Sequence, residues 1–269
     1  MSETMIHSSS APVLLTITDG IAEIRFNRPE VLNAVDVTTA IAFRDAVAAA
    51  SADPATRVIL LTAAGRAFIA GGDLAFFRAA GEKAPDAARE LIGPIHDAVE
   101  GLATAPQPVL ASLHGAVAGA GMSVALAADL AIAADNAVFN MAYAKVGNSP
   151  DCSASWTLPR LVGLRKAMEI IMLSDNLDAA EALRLGLVNR VVPLASLEEE
   201  TRKLARRLAD SAPLALRSIK RLLRDSGSRS LHAQLDEEAA QFAGNAGSAD
   251  FREALEAFFG KRKPKFEGR

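Results

Sequence analysis

Apolar and polar residues alternate with a period of two near the start of the chain, over residues 13–20 and 21–26. The two runs meet at Asp19-Gly20, a dipeptide typical of tight turns, so the pattern predicts an antiparallel hairpin. Beyond the hairpin, apolar runs of strand length alternate with longer stretches of helical periodicity. We predict helices over residues 37–50 and 86–103, and strands over residues 57–62, 108–113, 130–133 and 137–140.

The balance between strands and helices changes in the second half of the chain. After Gly163, strand-like runs nearly stop, apart from a short one at residues 188–192, and helical periodicity dominates. The alternation of strand, loop and helix before this point predicts an α/β fold. We place a boundary near residue 195, which divides the chain into an α/β part, 1–195, and a mostly helical part, 196–269.

Two glycine-rich turns are the main candidates for chemistry: GRAFIAGGDL at residues 65–74 and GAVAGAGM at residues 115–122. Each turn follows a strand-like run and leads into a helical one, so each can direct free backbone N–H groups at a developing negative oxygen. Any one of these glycines could instead serve a tight turn or close packing. A dinucleotide-binding fingerprint fits poorly, because Val124 stands at the position of its third glycine. The pair of turns favours an oxyanion hole.

Composition narrows the class of protein. The 269 residues are 50% hydrophobic with a net charge of −3, which supports a large core and argues against nucleic-acid or membrane-surface binding. The longest apolar stretch, residues 116–134, is rich in Ala and Gly and contains Asp129, so it does not fit a membrane span. The single cysteine, Cys152, excludes an internal disulfide, and residues 1–12 lack the apolar core of a signal peptide. We therefore expect a cytoplasmic enzyme with a small-molecule substrate.

Five motifs occur together along the chain: FIAGGDL at 68–74, HGAVAGAGMS at 114–123, SPD at 149–151, LPRLVG at 158–163 and AEALRLGLVNR at 180–190. In this combination the sequence resembles the enoyl-CoA hydratase/isomerase, or crotonase, superfamily from about residue 13 to residue 266. The resemblance implies a spiral of ββα units in residues 1–195 and a helical C-terminal part, 196–269, that builds homotrimers or dimers of trimers. It also implies acyl-CoA thioester substrates, no permanently bound cofactor beyond the coenzyme A of the substrate, and no metal.

The resemblance assigns the two oxyanion donors to the backbone N–H groups of Gly72 and Ala120. Proton removal next to a thioester carbonyl, or addition conjugated to it, places negative charge on the carbonyl oxygen, and each preorganised donor can lower the barrier by about 3 kcal/mol. Hydratases of the family use two glutamates to handle water, and this chain has Ser123 and Tyr143 at those positions. Neither side chain is a ready base at neutral pH, since an ordinary phenol has a pKa of about 10. Hydration is therefore disfavoured, and both side chains could simply pack or line the pocket.

Asp151 is the remaining candidate acid or base. Several isomerase branches of the family carry their catalytic acid at this position, although an aspartate here could also cap the helix predicted to begin near Ser153. A single carboxylate is enough for isomerisation, because it can remove a proton from one carbon of the acyl chain and return it two carbons away. Within the superfamily, the sequence is most similar to the branch of ring-epoxide phenylacetyl-CoA and Δ3/Δ2-enoyl-CoA isomerases. We expect an acyl-CoA isomerase.

Three different functions stay open beside the isomerase. In the 4-chlorobenzoyl-CoA dehalogenase branch, an aspartate at the position of Asp151 attacks an aryl ring, with a histidine at the position of His96 and a tryptophan at that of Tyr143. The second function is that of a weak hydratase, and the third is CoA binding without turnover. His96 could be catalytic or only pack its helix, and Cys152, with no base beside it in the sequence, is interpreted as a small buried thiol.

The resemblance also indicates where coenzyme A would bind. The expected contacts are Arg28, Ala34, Ala70, Asp73, Leu74 and Lys261. The two cations, one near each end of the chain, would meet the phosphates of the nucleotide, and the backbone of the first glycine-rich turn would hold the adenine. Both cations could also be ordinary solvated surface charges. The sequence leaves the acyl group unidentified.

Overall fold

Two β-sheets organise the computed structural model, which describes residues 4–5 and 10–269. The strands are β1 (Thr4–Met5), β2 (Val13–Thr18), β3 (Ile21–Phe26), β4 (Val58–Ala63), β5 (Val109–Leu113), β6 (Ala116–Ala118), β7 (Leu130–Ala134), β8 (Val138–Asn140), β9 (Leu177–Asp178) and β10 (Arg190–Val192). A seven-stranded sheet has the order β1-β2-β3-β4-β5-β7-β10. Its first three strands are antiparallel, and the pairs from β3 to β10 are parallel. The other strands form a small sheet with the order β6-β8-β9.

The predicted hairpin is confirmed. Thr18 pairs with Ile21 across a two-residue turn, in which Asp19 and Gly20 have φ angles of 51° and 82°. Two left-handed residues between antiparallel strands match the natural twist of those strands. The predicted strands that correspond to β4, β5, β7 and β8 are also confirmed, each within one residue of its expected bounds.

Helices surround the large sheet. They are α1 (Val37–Ala52), α2 (Leu74–Ala80), α3 (Ala84–Thr104), α4 (Ala120–Ala127), α5 (Ala154–Val162), α6 (Leu164–Leu173), α7 (Ala179–Arg184), α8 (Leu197–Ala209), α9 (Pro213–Asp225), α10 (Leu231–Ala246) and α11 (Ala249–Phe259). The two long helices predicted before the boundary are confirmed as α1 and α3. Sequence analysis gave no bounds for α2, which follows the first glycine-rich turn, and it missed β6, which lies within the second turn, and β9, which has only 2 residues. Across the described ranges, none of the helices combines the length and the apolar character that a membrane crossing needs.

Each face of the large sheet carries its own hydrophobic core. Neighbouring residues of a strand point to opposite faces, so Ile59 packs in one core with Phe43 of α1 and Ile95 of α3. Leu60 packs in the other core with Leu204 of α8. The helix α8 therefore shares a core with the sheet, although it follows the predicted boundary between the two parts of the chain. That boundary stays a prediction.

A buried ion cluster ties α9 to the rest of the molecule. Asp129 Oδ1 lies 2.6 Å from Arg224 Nη2, and Asp129 Oδ2 lies 2.9 Å from Lys220 Nζ. The same carboxylate accepts a hydrogen bond from the Val109 N–H at 2.8 Å, and Lys220 Nζ also donates to the Leu102 carbonyl at 2.7 Å. Burial lowers the pKa of Lys220, and the charge of Asp129 opposes this effect. One aspartate thus balances two cations at the junction of α9 with the sheet.

We expect Asp129→Asn to lower the free energy of unfolding by about 3 kcal/mol, because it leaves the buried Lys220 ammonium and the partly buried Arg224 guanidinium without a counter-charge. Urea unfolding followed by circular dichroism measures the change. Asp86→Asn is the matched control, since the Asp86 pair with Arg89 is solvent-exposed, at 81% and 76% of the side chains, and such pairs contribute little. Equal losses in the two variants would contradict the structural role of the cluster.

Candidate active site

The two glycine-rich turns lie against each other. Ile69 of the first turn and Val117 of the second form an isolated parallel bridge, in which the Ala118 N–H donates to the Ile69 carbonyl at 2.9 Å. The backbones pack so closely that a Cβ atom at Gly121 would lie 2.6 Å from the Cβ of Ile69. Only glycine fits at that point without moving the turn. The close approach places the N-terminus of α4 beside the first turn.

Each turn presents a backbone amide without a protein acceptor at the position expected for an oxyanion donor, Gly72 in the first turn and Ala120 in the second. In the first turn, Val35 forms an isolated bridge with Gly72. The Val35 N–H donates to the Gly71 carbonyl and its carbonyl accepts from the Asp73 N–H, each at 2.9 Å, so the bridge leaves the Gly72 amide unused. Ala120 is the first residue of α4, where N–H groups have no partner within the helix. Within the described chain neither amide donates to a protein acceptor. The predicted oxyanion hole requires such free N–H groups, because they must donate to the substrate oxygen.

A chain of hydroxyl groups connects α4 to Asp151. Ser123 Oγ, one turn into α4, lies 3.0 Å from the hydroxyl oxygen of Tyr143. The Tyr143 hydroxyl donates to Oδ1 of Asp151. The helix α5 begins at Ala154 with Ser153 as its cap residue, and no side chain caps it. The helix-cap interpretation of Asp151 is therefore wrong, and the phenol holds the carboxylate.

Tyr143 and Cys152 surround Asp151 with protonated groups. Both side chains are buried, and burial, reinforced by the charge of Asp151, raises the pKa of the Tyr143 hydroxyl and the pKa of the Cys152 thiol. The phenol therefore donates to the carboxylate, and both the phenol and the thiol keep their protons, so neither can act as a base. The interpretation of Cys152 as a buried thiol is confirmed.

Asp151 and His96 line one cavity of about 630 Å³. His96 extends from α3, and its Nε2 accepts a hydrogen bond from the Cys152 N–H at 3.1 Å. Glu100 and Arg224 line the same cavity, and sequence analysis missed both. Glu100 lies one helical turn after His96, so the helical period of the sequence could have placed the two side chains together. Arg224 is distant in the sequence, and only the fold brings it to this cavity. In the part of the chain that the structure describes, no set of three or more His, Cys, Asp or Glu side chains could hold a metal ion.

Five of the six expected coenzyme A contacts lie together beside the first glycine-rich turn: Arg28, Ala34, Ala70, Asp73 and Leu74. Arg28 Nη1 donates to the Ala34 carbonyl at 2.7 Å. The same Nη1 lies 3.0 Å from Asp36 Oδ2, and Nη2 lies 3.5 Å from Asp73 Oδ2. The carboxylates of Asp36 and Asp73 thus already neutralise the charge of Arg28. Through these contacts Arg28 connects the loop after β3 to the first glycine-rich turn.

Lys261 lies elsewhere. It follows α11, and the tail just after it, residues 263–266, lines a cavity together with Gly20 of the hairpin turn. Gly20 precedes β3 and Arg28 follows it, and a strand of 6 residues spans about 20 Å. One copy of the chain therefore does not bring Lys261 to the Arg28 cluster.

Comparison with known proteins identifies the family. The profile of the enoyl-CoA hydratase/isomerase family matches residues 16–269. A probable enoyl-CoA hydratase of Rhodobacter capsulatus is 40% identical over 94% of this chain and 96% of its own length, and the 1,2-epoxyphenylacetyl-CoA isomerase of Escherichia coli is 35% identical over 96% and 98%. The crystal structure of an enoyl-CoA hydratase from Polaromonas sp. JS666 superposes with a TM-score of 0.91 at 36% identity, covering 95% of this chain and 99% of that chain. This chain belongs to the enoyl-CoA hydratase/isomerase family, and the expected α/β crotonase fold is confirmed.

The single tyrosine of the chain allows a direct test of the electrostatics at Asp151. Because burial and the charge of Asp151 raise the pKa of Tyr143, we expect the folded protein to show no ultraviolet phenolate absorbance at pH values of about 10, where the tyrosine of the denatured chain titrates. Asp151→Asn should lower the folded-state midpoint, because the repulsion between carboxylate and phenolate disappears. A wild-type midpoint at the ordinary value would show that the buried contact does not exist.

Proposed function

We propose that this protein is an acyl-CoA isomerase that shifts a proton, and with it a double bond, through a thioester enolate. The Gly72 and Ala120 amides would stabilise the enolate oxygen. Asp151 would remove a proton from one carbon and, as the protonated acid, return it two carbons further along the acyl chain. The observation that carries the proposal is the pair of hydroxyl groups, Ser123 and Tyr143, linked to this carboxylate. They stand where hydratases of the family have two glutamates.

The hydroxyl chain suits a proton shuttle of this kind. Tyr143 donates to Oδ1 of Asp151 and so orients the carboxylate. Since its pKa is raised, the phenol keeps its proton while the carboxylate takes and releases one. Because the Tyr143 proton goes to Asp151, the single hydroxyl proton of Ser123 completes the chain by pointing to Tyr143, and the Gly119 carbonyl lies 3.3 Å from the same Ser123 Oγ. The acid is thereby connected to the helix that presents the Ala120 amide, which favours a fixed geometry between base and oxyanion donors.

Asp151→Asn tests the proposal. General acid–base catalysis typically contributes a factor of about a thousand, so we expect kcat to fall by about that factor on 3-enoyl-CoA and on ring-epoxide phenylacetyl-CoA, with little change in CoA affinity. Product analysis by mass spectrometry and calorimetric titration with CoA measure the two quantities. Asp97→Asn, an exposed aspartate of α3, is the matched control and should retain wild-type kcat.

Two other results would contradict the isomerase. Turnover that is the same for Asp151→Asn and the wild type in every acyl-CoA assay, crotonyl-CoA hydration included, would remove the assigned role of this carboxylate. Absence of all turnover with CoA binding intact would indicate a protein that binds CoA without catalysis.

Aryl-CoA dehalogenation or hydrolysis is a second candidate, with Asp151 as the nucleophile. It is supported by His96, which lines the same cavity as Asp151. The carboxylate would attack the ring carbon that bears the halogen, expel halide and form an aryl ester, which water then hydrolyses. A single turnover of 4-chlorobenzoyl-CoA in ¹⁸O-labelled water distinguishes the two functions. If ¹⁸O enters the Asp151 carboxylate and chloride is released, the dehalogenase function is correct and the proposed isomerase function is wrong.

We also propose that the protein assembles as a homotrimer or a dimer of trimers, as the family resemblance implies. Large apolar side chains that stay exposed in a single copy support this assembly: Trp156, Leu164, Met172, Phe242, Phe258 and Phe259. Exposed apolar side chains of this size are stabilised when a second surface removes them from water. A second copy would also be needed to bring a Lys261 tail to an Arg28 cluster. A cytoplasmic location remains a prediction of the sequence.

A further inference from the structure

The backbone directly after Asp151 adopts an unusual conformation. Cys152 and Ser153 both have left-handed φ angles, 50° and 69°. Side chains other than glycine rarely occupy this region, because the Cβ atom approaches the neighbouring carbonyl oxygen. Two such residues in succession cost free energy and persist only where surrounding contacts enforce them. The position of the Asp151 carboxylate therefore depends on whatever holds these two residues.

One contact from α3 holds this segment. The Cys152 N–H donates to Nε2 of His96 at 3.1 Å. An acceptor nitrogen must carry a lone pair, so the imidazole is neutral and its proton is on Nδ1. A protonated imidazole would instead place an N–H group against the Cys152 N–H, and the hydrogen bond would be lost.

We propose that His96 is a positioning residue: in its neutral form it fixes the left-handed segment that carries Asp151, and protonation of His96 releases that segment. The catalytic consequence rests on the proposed function, whereas the structural consequence does not. Nε2 is the only nitrogen of the neutral ring that can take a proton, so protonation of His96 and its hydrogen bond with the Cys152 amide exclude each other. The dehalogenase candidate, in which the histidine assists the reaction directly, would require this bond to break.

Several charged or titratable groups face His96. Glu100 lies one turn further along α3, Asp151 and Cys152 come from the loop, and Arg224 comes from the end of α9; all line the same cavity. The charge of Arg224 is paired with Asp129. The His96 side chain is itself exposed to solvent, so a proton can reach the ring without unfolding.

The reaction rate of Cys152, the single thiol of the chain, measures how readily this segment opens. The measurement does not depend on enzyme activity. Cys152 is fully buried, so its reaction with 4,4′-dithiodipyridine requires the segment to open. The rate in denaturant, divided by the rate in the folded protein at the same pH, gives a protection factor in which the thiolate fraction cancels. For the wild type we expect protection to fall about tenfold between pH 7.5 and pH 5.5, the effect of losing one hydrogen bond.

Two substitutions separate positioning from general packing. In His96→Gln the side-chain oxygen can accept the same N–H but does not titrate, so protection should stay high at both pH values. His96→Leu removes the acceptor, so protection should be about tenfold lower at both. His232→Gln, at an exposed histidine of α10, is the matched control and should follow the wild type.

The pH profile of kcat gives the catalytic readout. The wild type should lose kcat as the pH falls from 7.5 to 5.5, whereas His96→Gln should lose much less over the same range, with KM unchanged. Wild-type protection that does not depend on pH, or a His96→Gln variant with the wild-type pH dependence, would overturn the proposal. If protection follows His96 while the wild type isomerises no acyl-CoA, the positioning role stands and the proposed function fails.

Discussion

The contact between the two glycine-rich turns is the constraint on which the rest of the structure depends. Where Gly121 packs against Ile69, the backbones are closer than any side chain allows. This contact sets the first turn of α4 against the loop after β4, so the free amides of Gly72 and Ala120 belong to neighbouring segments. A larger residue at position 121 would separate the turns and, with them, the two donors.

Burial then decides which groups beside these turns can exchange a proton. Tyr143 and Cys152 are both weak acids, but the loss of solvation and the nearby charge of Asp151 raise their pKa values. Both keep their protons, and among these three side chains only the carboxylate supplies a lone pair that can act as a base. The fold produces this division because Ala120, Tyr143 and Cys152 all belong to the core shared with α1 and α3.

The sequence predicts the features of the fold that repeat locally. The hairpin, α1 and α3 have clear periods, and the glycine-rich turns stand out because each follows a strand-like run. The environment of Asp151 could not be predicted in this way, since the same local sequence fits an aspartate that caps a helix and an aspartate that a distant phenol holds. The Tyr143 contact that distinguishes them forms only when the chain folds back after β8. For the same reason Arg224 was missed, and Lys261 was assigned to a site that one copy of the chain does not complete.

Similarity to relatives named as hydratases does not decide the reaction of this chain. In the proposed function the fold and the two amides serve the thioester, which every acyl-CoA shares, so they would contribute to sequence identity whatever happens to the acyl group. The reaction itself depends on a few side chains around the acyl carbons. In the proposed site two of these are hydroxyl groups, Ser123 and Tyr143, whose hydrogen bonds lead to the one acid, Asp151. Hydration in this family uses two carboxylates to handle water, whereas a proton moving along an acyl chain needs only one.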